Sequence, residues 1–189
     1  MIKKIFSLLF TMTGWKFVNK IPDDVRSFVF IGAPHTSNYD IVPAMAVSDM
    51  MKRNARFVIK KEWLKFPLNL FFSPMGAIGL DRSLLKSKTT SNTDVMAKLF
   101  KDHKEFVLMI SPEGTRKPVT NWKTGFYYIA QKAGVPIVLG FCDYKNKLAG
   151  MGMVIYPSNF EEDMKKIMEF YRGLEGNIPS NFALDERYS

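Results

Sequence analysis

The chain has 189 residues, enough for one domain with a single core, and 47% of them are hydrophobic, including 16 Phe and 12 Met. Its 27 basic and 18 acidic residues leave a net charge of +9, which favours an anionic partner: nucleic acid, a phosphorylated substrate or an anionic membrane face. Cys142 is the lone cysteine, and His35 and His103 are the only histidines. That composition excludes an intrachain disulfide, suits a reducing compartment and argues against a metal site built from Cys and His.

Residues 1–22 place Lys3, Lys4, Lys16 and Lys20 around an apolar stretch and predict an amphipathic N-terminal helix. No small-x-small site follows, and Trp15-Lys16-Phe17 is a poor place to cut, so a cleaved signal peptide is not expected. No run reaches the roughly 18 to 20 apolar residues of a membrane-spanning helix. The helix could lie in a bilayer interface or dock on its own core; periodicity cannot separate the two.

Strands are predicted at residues 27–32, 56–60, 77–80, 105–110, 136–142 and 151–156. Helices are predicted at 39–52, at 62–72 with an interruption at Pro67, at 91–102, at 122–133 closed by Gly134, and at 160–172. Alternation with short links indicates a single α/β domain over residues 23–175, with a mostly parallel central sheet flanked by helices. Residues 176–189, with Gly176, Pro179 and Ser180, are expected as a C-terminal tail. The Phe-rich stretch 66–75 fits core filling and a lipid-facing patch equally well.

Strand 27–32 runs into Pro34-His35-Thr36-Ser37-Asn38-Tyr39-Asp40. In open α/β sheets, ligands bind in the crevice beyond the carboxyl ends of strands. His35 sits there, ahead of a helix start that Thr36, Ser37 or Asn38 can cap. Asp40 falls in the first helical turn, where its carboxylate can turn back to the imidazole. Holding one ring N–H fixes the tautomer and leaves the other nitrogen as a base. Ser37-x-x-Asp40 also has capping-box spacing, so a purely structural role stays open.

Strand 105–110 leads into Ser111-Pro112-Glu113-Gly114-Thr115-Arg116-Lys117. Pro112 and Gly114 supply a turn, Arg116 a planar fork suited to phosphate or carboxylate, and Lys117 a point charge. Residues 76–83 end a short strand in Asp81 and Arg82, and Lys60 and Lys61 close strand 56–60. Cations thus gather at several strand ends, which points to an anion site. Gly-x-Ser-x-Gly, Walker and Gly-x-Gly-x-x-Gly patterns are absent, which leaves Ser111 without the elbow of a covalent nucleophile. Cys142 reads as core and His103 as a solvated loop residue.

His35-Thr-Ser-Asn-Tyr-Asp40 resembles the His-x4-Asp block of the glycerolipid (lysophosphatidic-acid type) acyltransferase family, and Glu113-Gly-Thr-Arg116 resembles its second hallmark. Residues 76–82 and 135–138 are similar to its two further blocks, and the four come in the family's order across residues 27–142. The resemblance implies direct acyl transfer from an acyl thioester, acyl-CoA or acyl-carrier protein, to a lysolipid hydroxyl. It implies His35 as base and Asp40 as its orienting residue. It gives the acceptor phosphate to Arg116, with Arg82 and Lys60, and the shaping of the acceptor pocket to Glu113, Gly114 and Thr115. No cofactor, metal or nucleic acid is expected, and the protein would sit peripherally on the cytoplasmic side of a membrane. Ser111 stands where an aromatic is common, and Lys117 where a small polar residue is usual; both bear on the acceptor, which could also be a non-phosphate lipid.

Two other classes compete. A phosphoester hydrolase would reuse the histidine and arginine but would want a metal or a covalent histidine. A non-enzymatic module binding nucleic acid or anionic lipid accounts for the charge but leaves His35 and Asp40 without a purpose.

Overall fold

A computed structural model describes residues 2–80 and 91–189. Seven strands form one sheet: β1 (Lys16–Asn19), β2 (Phe28–Ala33), β3 (Ala55–Lys60), β4 (Ala77–Leu80), β5 (Val107–Ile110), β6 (Ile137–Asp143) and β7 (Leu148–Ile155). Their order across the sheet is β1-β7-β6-β2-β5-β3-β4. β6, β2, β5, β3 and β4 are mutually parallel, β7 runs antiparallel to β6, and β1 pairs in parallel with β7. This is the mostly parallel α/β architecture expected from the alternation of strands and helices.

The uninterrupted apolar run of β2 is explained by burial on both faces. Phe28 and Phe30 join a core cluster under α1 (Ile2–Met12) and α2 (Ile41–Met50), through Phe10, Ala46 and Val47. Val29 and Ile31 face the other way, into a cluster with Phe100 of α4 (Asn92–Lys101), Phe126 and Ile129 of α5 (Gly125–Ala133) and Met164 and Ile167 of α6 (Phe160–Tyr171). The period of two along the strand divides its side chains between the two layers. Full burial of each such side chain contributes about 1.5–3 kcal/mol before entropy is counted.

Local signals set the helix ends. Gly134 caps α5 in the left-handed region at φ 66°, and Asn159 accepts from the Glu161 and Glu162 N–H groups at the start of α6. The N-terminal helix is shorter than residues 1–22: it stops at Met12, Gly14 turns the chain at φ 83°, and residues 16–19 become edge strand β1. The helix expected over 62–72 is split around Pro67, into a 3-10 turn at Lys61–Leu64 and the short α3 (Asn69–Phe72).

α1 docks on the core, one of the two placements its periodicity left open. Phe10 is fully buried, Ser7 Oγ donates to Asp49 Oδ2 at 2.8 Å, and Lys3 Nζ donates to Ser48 Oγ at 2.9 Å. Its other face leaves Ile5, Leu8, Leu9 and Met12 exposed. Residues 176–189 lie along the domain body rather than running free: Glu186 N–H donates to Thr120 O, and Trp122 N–H donates to the fully buried Asp185 at 3.0 Å. The helix expected over 122–133 starts later, at Gly125.

Candidate active site

β2 pairs with β5 on one side and with β6 on the other, all parallel, so the segments that leave them open on one edge of the sheet. Those segments begin at Pro34, Ser111 and Tyr144. The parallel pairing required to bring the two sequence motifs together is therefore present.

His35 Nδ1 lies 3.1 Å from Asp40 Oδ2. The same oxygen accepts the Thr36 N–H at 2.7 Å and the Ser37 N–H at 2.8 Å, while Oδ1 accepts Ser37 Oγ–H at 3.1 Å and the Tyr144 hydroxyl at 2.8 Å. The capping box and the imidazole contact use one carboxylate: Ser37 caps the 3-10 turn Asn38–Asp40, and Asp40 closes the box while holding His35. Burial by itself would raise the Asp40 carboxyl, but the hydrogen bonds from His35, Ser37, Tyr144 and Thr36 outweigh it and hold it below its ordinary value. In the neutral tautomer that donates Nδ1–H to this carboxylate, Nε2 carries the lone pair. The His35 side chain keeps 31% of its surface exposed, enough to meet a ligand.

Glu113 does not face the cleft. It is 3% exposed, its Oε1 accepts the His35 backbone N–H at 3.2 Å and its Oε2 accepts Ser111 Oγ–H at 3.3 Å. Burial pushes its carboxyl up to about 7, against the opposing pull of His35 and Ser111 and with a contribution from the Asp40 charge. Gly114 turns the chain at φ 66°, in the left-handed region that favours glycine. Arg116 and Lys117 are exposed, and neither side chain has an ion-pair partner among the described residues.

A cavity of about 490 Å³ separates residues 36–39 from residues 115–117, and Asn177, Ile178 and Asn181 complete its wall. Lys60 ends β3 on the same sheet edge, and Arg82 lies outside the described residues. Beneath the site, the buried Tyr171 hydroxyl of α6 is shared between the carbonyls of Ile31 and Gly140 at 2.9 and 2.8 Å, which ties that helix to β2 and β6.

Sequence reasoning missed Tyr144 and the C-terminal contacts. Asn177 Nδ2 donates to Ser37 Oγ at 3.1 Å, Ile178 N–H to Thr36 Oγ1 at 3.2 Å and Asn181 Nδ2 to Thr36 O at 3.2 Å. Gly176 packs so closely that a Cβ would come 2.5 Å from Thr36 Cγ2. These partners are more than a hundred residues from the loop they hold, and no local pattern announces them.

A family model described as acyltransferase matches residues 18–138 of this chain, a stretch that includes both motif-bearing loops. The chain belongs to the acyltransferase family. Among curated proteins, it is 30% identical over 149 residues to a 1-acyl-sn-glycerol-3-phosphate acyltransferase of Haemophilus influenzae. That alignment covers 75% of this chain and 59% of the relative, so the chain spans less than two thirds of that relative's length. As an acyltransferase-family domain, this one adds to the matched stretch a distal segment: Tyr144, Asn177 and Asn181 reach the loop at 35–40 from beyond residue 138.

Proposed function

We propose that this acyltransferase-family protein moves a fatty acyl group from an acyl thioester, acyl-CoA or acyl-carrier protein, to the hydroxyl of a lysophospholipid such as 1-acyl-glycerol-3-phosphate. The observation that carries the reading is the His35–Asp40 pair, with its free ring nitrogen, on the segment that also forms one wall of the cavity bearing Arg116. His35 Nε2 takes the proton of the acceptor hydroxyl as its oxygen attacks the thioester carbonyl; the carbon–sulfur bond breaks, and the proton returns to the departing thiolate. The donor is already activated, so no covalent enzyme intermediate is needed, and general-base help of about 10²- to 10⁴-fold plus positioning accounts for the protein's part. Arg116, with Arg82 and Lys60, holds the acceptor phosphate, and Gly114 and Thr115 shape its pocket. Glu113, directed inward, fixes the His35 backbone instead of touching the acceptor.

The test is transfer of a labelled acyl group from acyl-CoA or acyl-carrier protein to a panel of lysolipids. His35→Ala should abolish transfer in a folded protein, and undiminished transfer would remove His35 from the mechanism. A panel in which only acceptors without phosphate react would move the acceptor to a non-glycerophosphate lipid.

The same reading places the protein peripherally on the cytoplasmic face of a membrane. It is supported by the apolar outer face of α1, by Phe66, 80% exposed, and by Leu70, 66% exposed, beside it in sequence. Among the described residues no helix is long and apolar enough to cross a bilayer. Leu8→Glu with Phe66→Glu should weaken flotation with anionic liposomes while leaving the fold intact; unchanged flotation would reject this surface.

A further inference from the structure

Tyr144 reaches Asp40 from the opposite end of the chain and is itself held in place from the N-terminus. It lies in the turn between β6 and β7, which Asp143 braces by accepting the Lys145 N–H at 3.1 Å and Asn146 Nδ2–H at 2.7 Å. Its own N–H donates to Glu175 O at 2.9 Å. Trp15 meets the tyrosine ring edge-on with centroids 4.8 Å apart, and Phe10 of α1 packs against Trp15 at 5.5 Å. Lys147 closes the same corner by donating to Thr13 O at 3.0 Å. A continuous set of contacts therefore runs from the helix whose outer face is apolar to the carboxylate that holds the imidazole.

We infer that Tyr144 is a positioning residue for the His35–Asp40 pair, kept in place by Trp15, so that the corner between α1 and β1 belongs to the active-site scaffold. The inference rests on the proposed role of His35 as base. Among the described residues, Oδ1 of Asp40 has two partners, Ser37 and Tyr144, while Oδ2 has the two backbone N–H groups and the imidazole. Loss of the tyrosine hydroxyl frees one side of the carboxylate to rotate away from the plane that suits Nδ1. The ring would remain packed, so the fold survives the loss of this one hydrogen bond.

The experiment is a double-mutant cycle on acyl transfer with the full chain. Tyr144→Phe should lower kcat about tenfold, equivalent to about 1.4 kcal/mol, and leave the acceptor KM within about twofold. In an Asp40→Asn background the same substitution should cost less than about twofold, because a residue acting through Asp40 has nothing left to orient. A purely structural tyrosine would give equal losses in both backgrounds. Trp15→Leu, which keeps apolar bulk, should lower kcat about threefold and add little on top of Tyr144→Phe. Tyr144→Phe at wild-type kcat, with His35→Ala inactive, overturns this inference alone; equal losses in the two backgrounds do the same. An active His35→Ala overturns the base and this inference together.

Discussion

The segments that follow β2 and β5 leave adjacent parallel strands on the same edge of the sheet, yet they are organised in opposite ways. Between residues 35 and 40, polar groups satisfy one another: Asp40 is 5% exposed and takes hydrogen bonds from two backbone N–H groups, a serine, a tyrosine and the imidazole. Between residues 113 and 117 the polar groups divide, with Glu113 turned inward to the His35 N–H and Arg116 and Lys117 turned out to solvent. A buried carboxylate keeps its charge only when donors surround it, which makes the first segment rigid. Exposed cations keep their hydration until a ligand displaces it, which leaves the second free to bind. The division suits the roles proposed above, with residues 35–40 orienting the reacting group and residues 113–117 receiving the acceptor's anion.

The contrast can be broken most severely at Asp40. Asp40→Ala should cut kcat by about 10²- to 10⁴-fold and, by leaving the Thr36 and Ser37 N–H groups without an acceptor, destabilise the fold by about 2–4 kcal/mol. Kinetics and urea unfolding of the same variant check both parts. A kcat near wild type would mean that the carboxylate only caps the turn.

Arg116→Ala should act on binding and spare the fold. The KM for a phosphate-bearing acceptor should rise about 10- to 100-fold, with stability changed by less than about 0.5 kcal/mol. A variant that loses stability and keeps its KM would make the cation structural.

Glu113 sharpens the comparison through pH. Its ordinary value of 4.5 in the unfolded chain rises to about 7 in the folded one, so the folded state binds the extra proton between those limits. The associated stability is fully present below about 4.5 and is lost as pH rises through about 7. Glu113→Gln should therefore flatten the stability profile, gaining about 2–3 kcal/mol on the parent between pH 5 and pH 8. Parallel profiles from denaturant melts would place the proton elsewhere. The smallest effect belongs to the C-terminal wall: Asn181→Ala should cost about 1 kcal/mol and only a few-fold in kcat, by loosening Thr36.

Much of the site was legible because its signals are local. His35 and Asp40 are five positions apart, and their separation is bridged by a turn that Ser37 caps, so spacing alone proposes the contact. The capping motif and the imidazole contact looked like rival readings of Asp40; one oxygen, Oδ2, accepts both the Ser37 N–H that closes the box and the contact from His35 Nδ1. The direction of Glu113 was not legible. Adjacent residues in a turn diverge, and only the position of the His35 N–H relative to β5 decides which of them points inward.

The sequence by itself determined the α/β class, the strands β2 to β7 and the C-terminal end of α5, because burial on two faces and Gly134 act within a few positions. It also carried the two motifs and the excess of positive charge. Tertiary structure alone decided that residues 16–19 form a strand beside β7, that residues 176–181 brace Thr36 and Ser37, and that Tyr144 completes the shell of Asp40. Those pairings join residues 104 to 145 positions apart in the last two cases. At such separations no backbone period couples the partners, and only the packed sheet and its helices bring them within hydrogen-bonding reach.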